Sequence, residues 1–572
     1  MFTLRVPADA EHGFQSLVSA QRPGFSFNQS GREEDIYVTA VTKPEASVRT
    51  EGYDTMDKPS LLSVLFPGPI DEGDVDRRTE LPFFRDLNLD QVLRALTSGR
   101  EEYNLVPFFC CPLDDVGSIL YRQEVMKDLE RQQTRGHAES FAGEMREMRS
   151  CLAQAGKLRN EYQKMSWFLD AVEIYCDAVK SLQEGLSGAV PGSKGMRGLV
   201  RFLEAYVGSD GFGSLRAETK GLKERLSEIT YRIHIQGLRV SVGKYGGEPD
   251  YSADVRETFR KFYEGEADKI RIRGSAHHDT PDMNGVEERI MDLVARLYPD
   301  FFRELSAYNT RYGNYLDPTV RRFDREVQFY LAYLRLIEGL EQAGLSFCYP
   351  EVDAGSKSVL AADTFDLALA MTLAHDGKKV VCNDFCLQGR ERIFVVSGPN
   401  QGGKTTFART FGQLHYLARL GLQVPGKEAR LFLSDNTFTH FEREEHIESL
   451  RGKLQDELVR MHDVLQHATG DSIVIVNEGF ASTTVSDALF IGREILQRII
   501  DKGCLGVYVT FIDELSRLEE AAVSMVSTVV PENPTQRTFK VVRKPADGRA
   551  YAMAIAEKYG LTRESVRRRL AR

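Results

Sequence analysis

The chain has 572 residues, of which 42% are hydrophobic and 28% charged, and its formal net charge is −10. That length holds about three or four domains of roughly 100–200 residues each, and the composition is that of an ordinary globular protein. The acidic balance excludes a protein that coats nucleic acid through bulk electrostatics, so any nucleic-acid contact has to use a local basic patch.

No apolar run reaches the roughly 18 residues that a membrane span needs. The start, Met1 to Asp9, lacks the basic flank and long apolar core of a signal peptide, so a cytoplasmic protein with no membrane partner is expected. The eight cysteines are scattered without a C-x-x-C pair. Cys110 and Cys111 are adjacent and Cys382 and Cys386 lie four apart, which suits reduced thiols better than zinc ligands or disulfides.

Residues 1–80 read as a poorly structured or small N-terminal region, rich in Pro and Gly, and Gly68 to Arg78 reads as a linker. From Phe83 to about residue 345 the pattern is mostly helical. Arg122 to Gln183 contains no proline and only Gly136, Gly143 and Gly156, which predicts very long amphipathic helices. Phe323, Val327, Tyr330, Leu334 and Ile337 recur at spacings of four and three, the stripe of another long helix. Between them Tyr231, Ile233 and Ile235 alternate, then Leu238, Val240 and Val242, which predicts a small hairpin near 230–245 with Gln236-Gly237 as its turn. Arg239 and Lys244 on it suit either phosphate contact or simple solvation. Phe262-Tyr-Glu264 lies in a charged helical stretch and reads as part of an amphipathic helix.

The apolar run Ile393 to Val396 runs into Gly398-Pro399-Asn400-Gln401-Gly402-Gly403-Lys404-Thr405-Thr406, which fits the P-loop pattern at every required position. In such a loop glycines let backbone N–H groups approach phosphates, the following helix adds its positive end, Lys404 reaches the β/γ-phosphates, and Thr405 offers its hydroxyl to Mg²⁺. ATP and Mg²⁺ are the expected ligands. Downstream, Ile473 to Val476 predicts a buried parallel strand that delivers Asn477 and Glu478 to the same edge, with Glu478 placed to orient or deprotonate the attacking water.

The filling of the loop, together with Asn383 in Val380-Val-Cys-Asn-Asp-Phe-Cys-Leu387 and with Gly421-Leu-Gln-Val-Pro425, strongly resembles the MutS family of DNA mismatch-repair ATPases. The resemblance runs from about residue 350 to the C-terminus, and more loosely from about 83. It implies an α/β P-loop NTPase domain of the ABC type at 351–572, with C-terminal dimerisation helices. Before it, at 81–350, it implies a mostly α-helical core and lever domain in which the hairpin is a clamp-like insertion. Tyr121-Arg122-Gln123 resembles the family's start of the lever helices, and Ala481 to Thr484 its Thr-Ser-Thr loop. Asn383 would then approach the adenine, with Mg²⁺ on Thr405 and Asn477 and with Glu478 and Lys404 catalytic. The implied partners are mismatched or structured duplex DNA, a second copy of the chain and other repair proteins.

About 80 residues are too few for the family's N-terminal recognition domain and connector together. Three further departures bear on turnover. Asn477 stands where the family has Asp, Phe511 where it has a histidine, and Ser449-Leu-Arg-Gly-Lys453 lacks the usual serine-threonine pair, for which Arg451 or Lys453 could substitute. The alternative is a nucleotide-gated clamp with little hydrolysis, acting on branched DNA or recombination intermediates. A structural-maintenance or transporter-type ATPase is disfavoured by the lack of a Leu-Ser-Gly-Gly signature. The basic end, Arg563 to Arg572, suits DNA contact or a solvated helix end.

Overall fold

A computed structural model describes residues 2–7, 63–68, 72–236, 239–247, 285–442, 452–480, 482–517, 520–546 and 563–570. It comprises two compact units that do not follow chain order. One takes residues 1–60, 140–184 and 201–318, the other 61–139, 185–200 and 319–572.

The proline-free run from Arg122 falls in three helices, Val116–Glu130, Gln132–Lys157 and Glu161–Ala189. Arg131 ends the first by taking an extended backbone. Before the third, the Asn160 side chain accepts a hydrogen bond from the Gln163 amide at 3.1 Å, a local alternative to helix continuation that hydrophobic spacing does not reveal.

In the first unit, helices pack through aromatic side chains. Phe168 and Tyr175 meet Tyr315 edge-on at 5.5 and 5.2 Å, and the Tyr175 and Tyr206 hydroxyls lie 2.9 Å apart. Helix Asp210–Glu228 ends at Ile229, whose extended backbone leads into the hairpin. The hairpin is part of a three-stranded antiparallel sheet of β1 (Phe2–Pro7), β2 (Thr230–Gln236) and β3 (Arg239–Lys244), in that order. Alternation of Phe2, Leu4 and Val6 is the sequence signal for β1, masked by the turn-rich composition of the residues that follow. Gln236 pairs with Arg239, so Gln236 belongs to the strand rather than to the turn. Gly237 and Leu238 lie outside the described residues, as does Phe262-Tyr-Glu264.

The second unit carries the remaining strands: β4 (Phe347–Cys348), β5 (Glu351–Asp353), β6 (Val359–Thr364), β7 (Asn383–Leu387), β8 (Ile393–Ser397), β9 (Val424–Pro425), β10 (Glu428–Phe432), β11 (Thr437–Phe441), β12 (Ile473–Asn477), β13 (Leu505–Val509), β14 (Ala522–Val530) and β15 (Asn533–Arg543). Its main sheet has the order β11-β12-β13-β8-β14-β15, parallel except for the last pair. Every residue of β8, β12 and β13 is buried, as expected of parallel strands covered on both faces. A second sheet has the order β5-β10-β6-β7.

Helix Lys404–Arg419 is buried almost throughout. Two of its buried polar side chains bond the segment 84–113: Gln413 Nε2 donates to Leu87 O at 2.8 Å, and Tyr416 Oη donates to Phe109 O at 2.6 Å. Helix Pro318–Gln342 buries Phe323, Val327, Tyr330, Leu334 and Ile337 along the stripe expected from their spacing.

The region expected to be a linker is different. Glu72–Asp76 is a short helix with Val75 buried and Asp76 paired to Arg325, and just before it Ser63 to Phe66 are buried. Val64 N and Ser63 Oγ donate to the Glu326 carboxylate at 2.8 and 2.7 Å, Tyr330 Oη donates to Val64 O at 2.7 Å, and Arg122 Nε donates to Leu65 O at 2.8 Å. Turn-rich composition hides the Ser-Val-Leu-Phe run whose burial fixes this segment.

Candidate functional site

The site lies where β8 gives way to helix Lys404–Arg419, at the C-terminal edge of the parallel strands, where open α/β sheets place their ligands. Gly398, Gln401 and Gly403 have φ of 117°, 57° and 94°. A Cβ on Gly398 would lie 2.6 Å from Ser527 Oγ, and one on Gly402 would lie 2.5 Å from the same atom and 2.9 Å from Pro399 O. The loop therefore requires glycine at both positions for space.

Lys404, the first helical residue, is only 3% exposed. Its Nζ donates to Gly398 O at 3.1 Å and Pro399 O at 3.2 Å, lies 3.6 Å from Glu478 Oε1 and stands 4.3 Å above the Phe511 ring. Burial pulls its pKa below the usual lysine value, and the Glu478 carboxylate opposes that shift. The loop carbonyls thus hold an ammonium that a phosphate oxygen could draw away.

Thr405 Oγ1 donates to Asn477 Oδ1 at 2.9 Å, linking the loop to the end of β12. Thr406 O accepts the Thr410 hydroxyl at 2.8 Å within the helix. Asn400 is exposed, and its carbonyl accepts Arg537 Nε at 3.1 Å. Glu478 follows β12 with φ of 54°, a left-handed backbone that turns its carboxylate toward Lys404, and its amide donates to Val509 O at 3.0 Å. A non-glycine residue held there costs on the order of 1 kcal/mol or more and persists only where its surroundings fix it.

Asn383 opens β7, and its side-chain amide is occupied by β15: Nδ2 donates to Phe539 O at 3.2 Å and Oδ1 accepts from Val541 N at 2.7 Å. The structure brings Gly398 to Thr406, Asn477 and Glu478 to one edge, and ties Asn383 to the strand that closes its side. No local sequence pattern singles out Ser527, Arg537 and Phe539 on β14 and β15, which press on the glycine loop. Ser449, Leu450, Arg451 and Ala481 lie outside the described residues, as do 547–562. Lys453 begins helix Lys453–His467 and pairs with Glu442, and Thr484 caps Val485–Lys502, its Oγ1 accepting from Asp487 N at 3.2 Å.

Gly421, at φ 72°, abuts Arg122: a Cβ there would lie 2.6 Å from Arg122 Cβ. The buried Arg122 donates through Nη1 to Leu420 O at 3.0 Å, and Gln123 Nε2 donates to Pro350 O at 3.2 Å. Arg122 therefore holds the far end of the helix that begins at Lys404, and Gln123 holds the entry to the strands that follow residue 350.

A hydroxyl, an amide oxygen and a carboxylate suit a hard cation that takes its other ligands from water and bound phosphate. Among the described residues no cluster of His, Cys, Asp or Glu could hold a metal ion alone, and no helix is long and apolar enough to cross a membrane.

Residues 394–570, which contain the glycine loop, Asn477, Glu478 and β15, match the model of MutS domain V. The sheet and its loop are those of a domain of this type. Beyond it, the chain is 24% identical over 92% of its length to the DNA mismatch repair protein MutS of Thermotoga neapolitana, and 24% identical over 98% of its length to that of Aquifex pyrophilus. It is 27% identical over 33% of its length to the endonuclease MutS2 of Thermus thermophilus. Residues 394–570 thus match MutS domain V, and similarity to MutS proteins extends over most of the chain. The chain spans 66%, 67% and 25% of the length of these three relatives.

Proposed function

We propose that this chain is an ATP-dependent DNA-binding protein that binds and hydrolyses ATP in a dimeric P-loop site to control a DNA clamp, with mismatched duplex as a substrate. The observation that carries the reading is the meeting of buried Lys404, the Thr405–Asn477 pair and Glu478 on a loop that accepts only glycine at Gly398 and Gly402. In this reading 351–572 is the ATPase with its dimerisation helices, 81–350 the helical core and lever with the hairpin near 230–245 as clamp, and 1–80 a small N-terminal region. The compartment is the cytoplasm.

The phosphates lie along Gly398 to Thr406, and the adenine lies beside Asn383 without using its occupied amide. Lys404 exchanges Gly398 O and Pro399 O for β- and γ-phosphate oxygens. Glu478 is then released from the ammonium and orients the attacking water. Thr405 and Asn477 would hold Mg²⁺, which would supply neutralisation of the phosphate charge. Asn477 brings no charge of its own, so that hold is weak.

A second reading, a nucleotide-gated clamp that barely hydrolyses and acts on branched DNA, is favoured by Phe511, whose ring sits on the Lys404 ammonium where a polar group would meet the γ-phosphate. Steady-state ATP hydrolysis with plain duplex, mismatched duplex and four-way junction separates the two. Turnover stimulated by one DNA form is expected from the first reading. Nucleotide binding without turnover supports the second, and no nucleotide binding overturns both.

A further inference from the structure

The turn that carries Glu478 is strained at two residues, with φ of 54° at Glu478 and 65° at Phe480. Neither is glycine, and a bulky aromatic residue in the left-handed region is an outlier that persists only where its surroundings dictate it. Gly479 between them has little room: a Cβ there would lie 3.3 Å from Val476 Cγ1 and 3.4 Å from His440 Cδ2.

Hydrogen bonds pin the turn at both ends. The Glu478 amide donates to Val509 O at 3.0 Å, which ties it to β13. At the other end the Phe480 amide donates to Glu457 Oε2 at 3.0 Å. Glu457 belongs to helix Lys453–His467 and is only 2% exposed. A carboxylate is costly to bury unless a donor meets it; burial raises the Glu457 pKa, and the Phe480 amide opposes that shift. A backbone N–H aimed at a carboxylate makes a charge-assisted bond, stronger than a neutral one. The buried Phe480 ring lies nearly parallel to the His440 ring, with centroids 5.5 Å apart, so its side chain is seated as firmly as its amide. The Glu478 carboxylate, by contrast, stays partly open to water beside Lys404.

We propose that Glu457 is a positioning residue for ATP hydrolysis: its carboxylate, through the Phe480 amide, holds the left-handed turn that aims Glu478 at the attacking water. The proposal rests on the reading of Glu478 given above. It explains why a carboxylate is kept buried on helix Lys453–His467, and why backbone strain is maintained at Phe480.

The test is single-turnover hydrolysis of Mg²⁺·ATP by an excess of the full chain, paired with equilibrium titration of the same nucleotide. Glu457→Met fills the same space without an acceptor. It is expected to slow hydrolysis about tenfold to a hundredfold, the scale of a misaimed reacting group, and to leave ATP affinity unchanged. Glu457→Gln, whose amide oxygen accepts the same bond, retains most of the rate. Equal rates in the natural chain and Glu457→Met overturn the proposal, as does a loss of ATP affinity that matches the loss of rate, which would mark a purely structural role. Should Glu457→Met fail to fold, Glu457→Asp takes its place: its shorter side chain draws the acceptor back, so a lower rate than in Glu457→Gln is expected, and equal rates overturn the proposal. A natural chain that binds ATP but never hydrolyses it overturns the proposal together with the hydrolysis reading, and one that binds no ATP overturns the nucleotide-site reading itself.

Discussion

Thr405 Oγ1 donates its proton to Asn477 Oδ1 across 2.9 Å, so the hydroxyl offered by the glycine loop and the last side chain of β12 meet directly. A carboxylate at position 477 would keep that contact and add a charge facing the cation. Asn477→Asp is therefore expected to lower the Mg²⁺ concentration for half-maximal ATP hydrolysis by about threefold to tenfold, the range of one charge-assisted contact. An unchanged Mg²⁺ dependence would mean that position 477 does not face the metal.

Phe511 holds Lys404 through its ring, 4.3 Å from Nζ. A partly desolvated cation–π contact of this kind contributes about 1 kcal/mol, which ATP has to displace. Phe511→Leu keeps an apolar side chain but removes the π face. It is expected to tighten ATP binding by about fivefold in equilibrium titration, the same contribution written as a ratio. Weaker binding would show instead that the ring supports the bound state.

Glu326 is buried at the centre of the contacts that hold Ser63 to Phe66, and desolvation raises its pKa to about 7 against the pull of its hydrogen bonds from Ser63 and Val64. The folded chain then keeps a proton that the unfolded chain releases near the ordinary carboxylate value. Stability from this group is fully present below that value and is lost as pH rises through about 7. Across the window the loss amounts to about 3 kcal/mol. Glu326→Gln is expected to flatten the fall of Tm between about pH 5 and 7.5 relative to the natural chain. Parallel Tm curves for the two proteins would contradict the assignment.

Much of the site is legible in the sequence because its chemistry is written locally. An apolar strand, glycines at set spacing and a following Lys-Thr are enough to define the loop, and Ile473 to Val476 announces the strand that delivers Asn477 and Glu478. The parts that local sequence does not reveal depend on long-range pairing. The bulge at Phe539 exists only through a register shift between β14 and β15, and the contact of Phe511 with Lys404 joins residues far apart in the chain. Helix breaks at Arg131 and Asn160 turn on backbone and capping geometry inside a stretch whose hydrophobic spacing continues. Ser63 to Phe66 look like part of a poorly structured N-terminal region until Arg122, Glu326 and Tyr330 are in place around them.

The most direct test of the central claim is equilibrium titration of the full chain with Mg²⁺·ATP, comparing the natural protein with Lys404→Ala. Saturable binding in the natural protein, weakened at least about tenfold by loss of the ammonium's charge-assisted contacts, is the expected result. Equal affinity in the two proteins would contradict the placement of ATP on the glycine loop.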